Sequence, residues 1–111
     1  DLKLSGTKTL TVTFAVHNEG PVAGRETAQV YLTSAAGEKV KRLIGFAKVE
    51  LRPNGDEQAR VTVDPRLLSN FDEKSQRWHL RRGEYRVEVG ASSLESSLAG
   101  DIHLQESWRK P

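Results

Sequence analysis

A serine, an aspartate and a histidine occur in the order Ser92, Asp101, His103, and the serine follows Gly90-Ala91 at the end of the alternating run "GEYRVEVG". Such a set could assemble a nucleophile, its orienting acid and its base. The strained turn that exposes a serine nucleophile needs a second glycine after it and a helix beyond, so that strand and helix pass closely. Here Ser93 and Leu94 follow, and no helical periodicity succeeds them. Asp101 and His103 share one face of a strand, opposite Ile102, and His103 has no orienting partner in view beyond Asp101. The eight residues between Ser92 and Asp101 are too few to swing that strand over the serine in triad geometry. Gly90 is expected to end a strand and Ser92 and Ser93 to open a turn, so no catalytic residue is assigned.

Other chemistries fail on similar grounds. His17, His79 and His103 are scattered, none at a ligand spacing from another histidine or acid, and they read as surface or boundary side chains. Asp72 and Glu73 are adjacent, and neighbouring carboxylates on a strand or turn diverge. A glycosidase pair must instead face across a cleft, ~5–10 Å apart. No glycine cluster precedes a helix to cradle phosphate, and there is no cysteine. Neither a metal nor a cofactor is expected.

The elements that carry these residues repeat with a period of two. Leu10, Val12, Phe14 and Val16 alternate with polar or small partners, as do Ala28, Val30 and Leu32. "NEGPVAG" is a loop, and "SAAG" ends the second run. Ala47, Val49 and Leu51 share one face of a third strand, and Ala59, Val61 and Val63 share one face of a fourth. Asn54-Gly55 between them signals a hairpin. Asp64 can cap a short helical turn begun by Pro65, with Leu67, Leu68 and Phe71 folding onto the core. Trp78 and Leu80 share a face; Tyr85, Val87 and Val89 share another; Ile102 and Leu104 close the series, and Leu2 and Leu4 form an edge strand. Phe14, Phe46 and Tyr85 are the expected core anchors. Tyr85, two residues into its strand, is placed to tie its hydroxyl to nearby backbone as a tyrosine corner. Seven or eight short strands, nearly free of helix, predict an all-β, antiparallel two-sheet sandwich of immunoglobulin or fibronectin type III kind.

Composition agrees. The 111 residues make one domain, 36% hydrophobic and 29% charged, able to bury roughly two-thirds of the surface of the unfolded chain. Its core runs over about 1–93, with a final strand and tail at 94–111. A chain that opens Asp1-Leu2-Lys3 and holds no methionine is expected to be a fragment of a longer polypeptide. The net charge of +2 comes with basic clusters at Lys39, Lys41, Arg42 and at Arg77, Arg81, Arg82. Acidic residues are interspersed and no aromatics alternate with these cations, so nucleic acid is not an expected partner. No apolar run approaches the ~20 residues that span a bilayer, and no membrane partner is expected.

Three segments in series, "FAVHNEGPVAGRETAQVYL", "RLIGFAKVELRPNGDE" and "FDEKSQRWHLRRGEYRVEVGASS", resemble the C-terminal fibronectin type III-like domain of glycoside hydrolase family 3, the β-glucosidases and β-xylosidases. The resemblance runs from Asp1 to about Ser93. It departs in loops: no proline precedes the basic stretch around Val40, the usual Leu-x-Pro-Gly-Glu appears as Leu51 to Glu57 with an inserted residue, and Asn-Thr-Gly reads Asn18-Glu19-Gly20. In that family the retaining chemistry belongs to an aspartate of an N-terminal barrel and an acid/base from the following α/β domain, and nothing here matches either region.

The resemblance implies an accessory, structural domain that is not an enzyme by itself, packing on the catalytic domains of its own polypeptide, a β-glucosidase-type hydrolase. That parent is expected in the periplasm or secreted from a bacterium, with the cytoplasm also open. Two alternatives stand beside it: a carbohydrate- or surface-binding module, and a free-standing adhesion-type sandwich. With Phe14, Phe46, Phe71, Tyr85 and Trp78 assigned inward, only Tyr31 and Trp108 are free, the latter in a flexible "ESWRKP" tail. Direct sugar binding is therefore expected to be weak or absent. The candidate domain contact is Tyr31 with Gln29 on an outward face, Ile44 and Leu98 adding apolar area.

Overall fold

The computed structural model describes residues 2–18, 20–91 and 98–111. Strands whose side chains alternate apolar and polar can bury one face each, and two such faces laid together make a core. One antiparallel sheet holds β1 (Leu2–Ser5), β2 (Leu10–His17) and β5 (Asp56–Val63), in the order β1-β2-β5. Its partner sheet holds β3 (Gly24–Ala35), β4 (Glu38–Leu51), β8 (Gly83–Gly90) and β9 (Leu98–Leu104), in the order β4-β3-β8-β9. A small third sheet has β7 (Arg77–Leu80) between β6 (Asn70–Asp72) and β10 (Ser107–Arg109). The expected all-β antiparallel fold is what forms. Its two unexpected strands, β6 and β10, are three residues each, too short to show alternation.

Leu10, Val12, Phe14 and Val16 of β2 and Val61 and Val63 of β5 join Val30 and Leu32 of β3 and Tyr85, Val87 and Val89 of β8 in one buried cluster. Phe14 and Tyr85 anchor it, as expected. The Tyr85 hydroxyl donates to the Arg81 carbonyl at 2.6 Å, closing a tyrosine corner at the start of β8.

β4 corrects two expectations together. Along its ladder with β3, Val30 lies opposite Gly45 while Tyr31 lies opposite Leu43, so Ile44 is an extra residue. A bulge of this kind shifts side-chain parity by one. Ile44 turns inward, only 2% exposed, and is therefore not available on the outer face where it was expected. Phe46, expected as a core anchor, is 60% exposed, because Val49 and Leu51 hold the inward positions of its half of the strand. Gly45, at the bulge, faces the opposite sheet so closely that a Cβ there would lie 2.6 Å from Val61 Cγ1.

The Asn54-Gly55 turn is also not the expected hairpin, because β4 and β5 belong to different sheets. Gly55 N–H donates to the Arg52 carbonyl at 3.0 Å, and of the two turn residues only Asn54 (φ 51°) has a positive φ. Proline first and a positive φ second is the signature of a type II turn, which splays its flanking strands and here carries the chain across the sandwich. The tight hairpin is instead Ala36-Gly37, both at positive φ (50° and 85°), joining β3 to β4.

Asp64 caps the short 3-10 turn Pro65–Leu68 as expected, its Oδ1 accepting from Arg66 N–H at 3.0 Å. Of the three apolar residues assigned inward, only Leu68 is buried; Leu67 and Phe71 are exposed. Consecutive residues of a 3-10 turn point about a third of a turn apart, so Leu67 and Leu68 cannot both face the core. Phe71 leaves along β6 and meets Trp78 edge-on, ring centroids 5.2 Å apart.

Two outcomes follow from these contacts. Gly45→Ala should cost ~1–3 kcal/mol in chemical denaturation by overpacking against Val61. Combining it with Val61→Ala should return part of that loss; simple additivity of the two would place the close approach elsewhere. Burial pushes the Tyr85 phenol above its ordinary value of 10.0, outweighing the nearby Arg81 charge. The folded state then keeps this proton longer than the unfolded chain, so the stability it gives is intact below the unfolded value and lost as pH rises through the folded one. The melting temperature should fall with pH above about 10, and less steeply in Tyr85→Phe.

Candidate interaction surface

The residues whose types suggest catalysis go to separate partners. Asp101 accepts from Arg86 Nη1 at 3.1 Å across the β8–β9 ladder, while His103 Nδ1 meets Glu84 Oε1 at 3.1 Å. Ser92 and Ser93 lie outside the described residues. His79 Nε2 meets Glu106 at 2.7 Å, and His17 pairs with Asp56. Among the described residues no three histidines or carboxylates gather as metal ligands would. Asp72 accepts from Ser75 Oγ at 2.7 Å within its own turn.

What the fold does assemble is an exposed face. On the outer side of the four-stranded sheet, Gln29 lies opposite Phe46 and Tyr31 opposite Leu43. The Tyr31 hydroxyl donates to Gln29 Oε1 at 2.9 Å, and the Lys41 ammonium stands 5.9 Å from the Tyr31 ring centroid. Leu43, 46% exposed, and Phe46 add the apolar area that Ile44 was expected to supply. Further across the sheet the face becomes charged, with Arg86 between Asp101 and Glu88 and with Glu84 beside His103. Tyr31 and Gln29 thus sit where the sequence puts them, at the border of an apolar strip and an ion-pair ladder.

A second exposed group belongs to the small sheet. The terminal segment expected to be a loose tail is a strand, and its Trp108 stacks on His79 of β7, ring centroids 3.8 Å apart and planes 5° from parallel. Trp78, expected inward with Leu80, is only half-buried; Phe71 covers it in part.

The sequence also carries a clamp that period alone does not reveal. Asn18 Nδ2 donates to the Val22 and Arg52 carbonyls at 2.9 and 3.1 Å, and its Oδ1 accepts from Gly20 N–H at 3.0 Å. Its backbone N–H donates to the Gly55 carbonyl at 3.0 Å. One side chain therefore binds the "NEGPVAG" loop to the type II turn at this end of the sandwich, and the asparagine-glycine spacing is the signal that marks it.

The pattern of the fibronectin type III-like domain matches residues 26–93. Probable β-glucosidase M of Neosartorya fischeri is 42% identical over 97 residues, covering 87% of this chain and 12% of that protein. β-Glucosidase B of Emericella nidulans is 37% identical over 118 residues, covering 98% of this chain and 14% of its own length. Among solved structures, β-glucosidase 3B of Thermotoga neapolitana in complex with glucose superposes with a TM-score of 0.79 at 31% identity, over all of this chain and 16% of that one. The Bifidobacterium adolescentis family 3 β-glucosidase gives 0.76 at 31% identity, over 96% of this chain and 16% of its own. The chain thus spans about an eighth of the length of these two curated relatives.

Asn18→Ala removes the donors to two carbonyls and the acceptor for one N–H at once. It should lower stability by ~1–3 kcal/mol, and hydrogen exchange should quicken at Gly20 and Asn54 before it does in β2. Exchange unchanged at those amides would show that the loop and turn hold each other without the side chain.

Proposed function

The chain belongs to the fibronectin type III-like domain family and is similar to segments of glycoside hydrolase family 3 β-glucosidases, and on that premise we propose that it is an accessory, structural domain of such an enzyme. It packs on the catalytic domains of its own polypeptide and stabilises them, while the remainder of that polypeptide supplies the carboxylates that hydrolyse terminal β-linked sugars. The observation that carries this reading is the outer face built from Gln29, Tyr31, Leu43 and Phe46. Large apolar side chains side by side on a solvent-facing sheet surface, bordered by charges, have the mixed character of contacts between domains of one chain.

Phe46 separates docking from folding because its ring is outside the core. Phe46→Ser should leave the melting of the 111-residue chain nearly unchanged, within ~0.5 kcal/mol. In the parent enzyme the same substitution should lower the melting temperature, and deletion of residues 1–111 should lower it further or cost solubility. A parent that melts normally with either change, yet loses affinity for polymeric substrate, would replace docking with the binding-module reading.

A further inference from the structure

Trp108 and His79 lie directly opposite in the β7–β10 ladder, and their rings stack with planes nearly parallel. The Glu106 carboxylate holds the imidazole by Nε2 at 2.7 Å, so the ring beneath the indole is fixed. Stacking covers one indole face, and Trp108 remains 44% exposed. Beside it runs a shallow groove whose lining includes Asp64, Arg66, Trp108 and Lys110, together with Arg109 and two prolines. In it Arg66 donates through Nε and Nη2 to Asp64 Oδ2, at 3.0 and 2.6 Å, which sets a carboxylate and a guanidinium side by side, each partly exposed. The Arg66 hydrogen bond also holds the Asp64 carboxyl below its usual range, keeping it a hydrogen-bond acceptor.

We infer that this groove is a weak subsite for one ring of a β-linked gluco-oligosaccharide, with Trp108 as the stacking platform and Asp64 and Arg66 as the hydroxyl-binding pair. The inference rests on the reading that the parent acts on β-glucosides. A pyranose whose hydroxyls are all equatorial presents flat C–H faces, which suit an indole, and a rim of groups that both donate and accept hydrogen bonds. Apolar ring beneath and a few placed polar groups at the side is the usual composition of a small-molecule site. The two supports stand on hydrogen-bonded backbone, a capped 3-10 turn and a paired strand. A single stacked ring limits affinity, but tethering within the parent raises the effective concentration of a bound chain near the catalytic domains.

Cellotetraose titrated into the 111-residue chain, followed by the two indole N–H resonances, tests this directly. The Trp108 signal should shift saturably with a dissociation constant on the order of 1 mM, while that of Trp78 shifts less. Trp108→Ala should abolish the response and Trp108→Tyr, which keeps a stackable ring, should retain it. Asp64→Asn, which preserves the helix cap, should weaken binding several-fold, and Phe46→Ser should leave it unchanged. Absence of a saturable shift, or a shift that survives Trp108→Ala, overturns the inference. So does a parent whose melting temperature falls with Trp108→Ala as far as with Phe46→Ser, because the indole would then be a docking contact. The titration reads sugar binding alone and the parent's melting with Phe46→Ser reads docking alone, so each reading can fail without the other.

Discussion

A strand can hide only every second side chain, and β4 has to serve a core on one side and a solvent-facing surface on the other. It does so by breaking its own period once. Ile44 and Gly45 both face inward, one supplying bulk and the other only a hydrogen where Val61 of the opposing sheet comes close. The outward position of Leu43 depends on that single step. Without it the residues before the bulge would exchange sides, placing Ile44 outward and Leu43 in the core.

The ends of the sandwich are held by a different means. At one, Asn18 gathers backbone groups from its own loop and from Arg52, 34 residues further along the chain. At the start of β8, the Tyr85 ring is buried while its hydroxyl reaches the carbonyl of Arg81. Both use a polar atom to fix irregular backbone that the ladders cannot reach, which is where a sandwich has most freedom to lose.

Most of this was legible in the sequence, and the exceptions share a cause. Eight strands, the Asp64 cap and the Tyr85 corner follow from alternation and from local capping chemistry, which need no knowledge of distant neighbours. The bulge does not, because one extra residue in a strand leaves no mark on composition; Ile44 before a glycine is its only trace. Asn54-Gly55 misleads because Pro53 selects the turn type, and turn type decides whether the next strand pairs or crosses over. Of the candidate surface, parity places Tyr31 and Gln29. Parity also argues for an outward Phe46, since Ala47, Val49 and Leu51 already occupy the other face, but its size favours a core assignment. The exposure of Trp108 is legible, but its fixed position is not: β10 forms by pairing with β7, a contact between residues far apart in the chain.

The break in β4 has a consequence for what the molecule avoids. Among the described residues β4 is an end strand of its sheet over 14 residues, the position in which outward N–H and carbonyl groups have no second ladder to join. A strand of that length, flat and flanked by Phe46 and Leu43, would be a template on which another copy could add a strand and begin to aggregate. The bulge interrupts the regular spacing such a recruit would need, and the exposed Lys39, Lys41 and Lys48 add like charges that repel it. The irregularity that turns Leu43 outward thus also guards the border beside it, so that apolar area on the face does not come with an edge open to another copy.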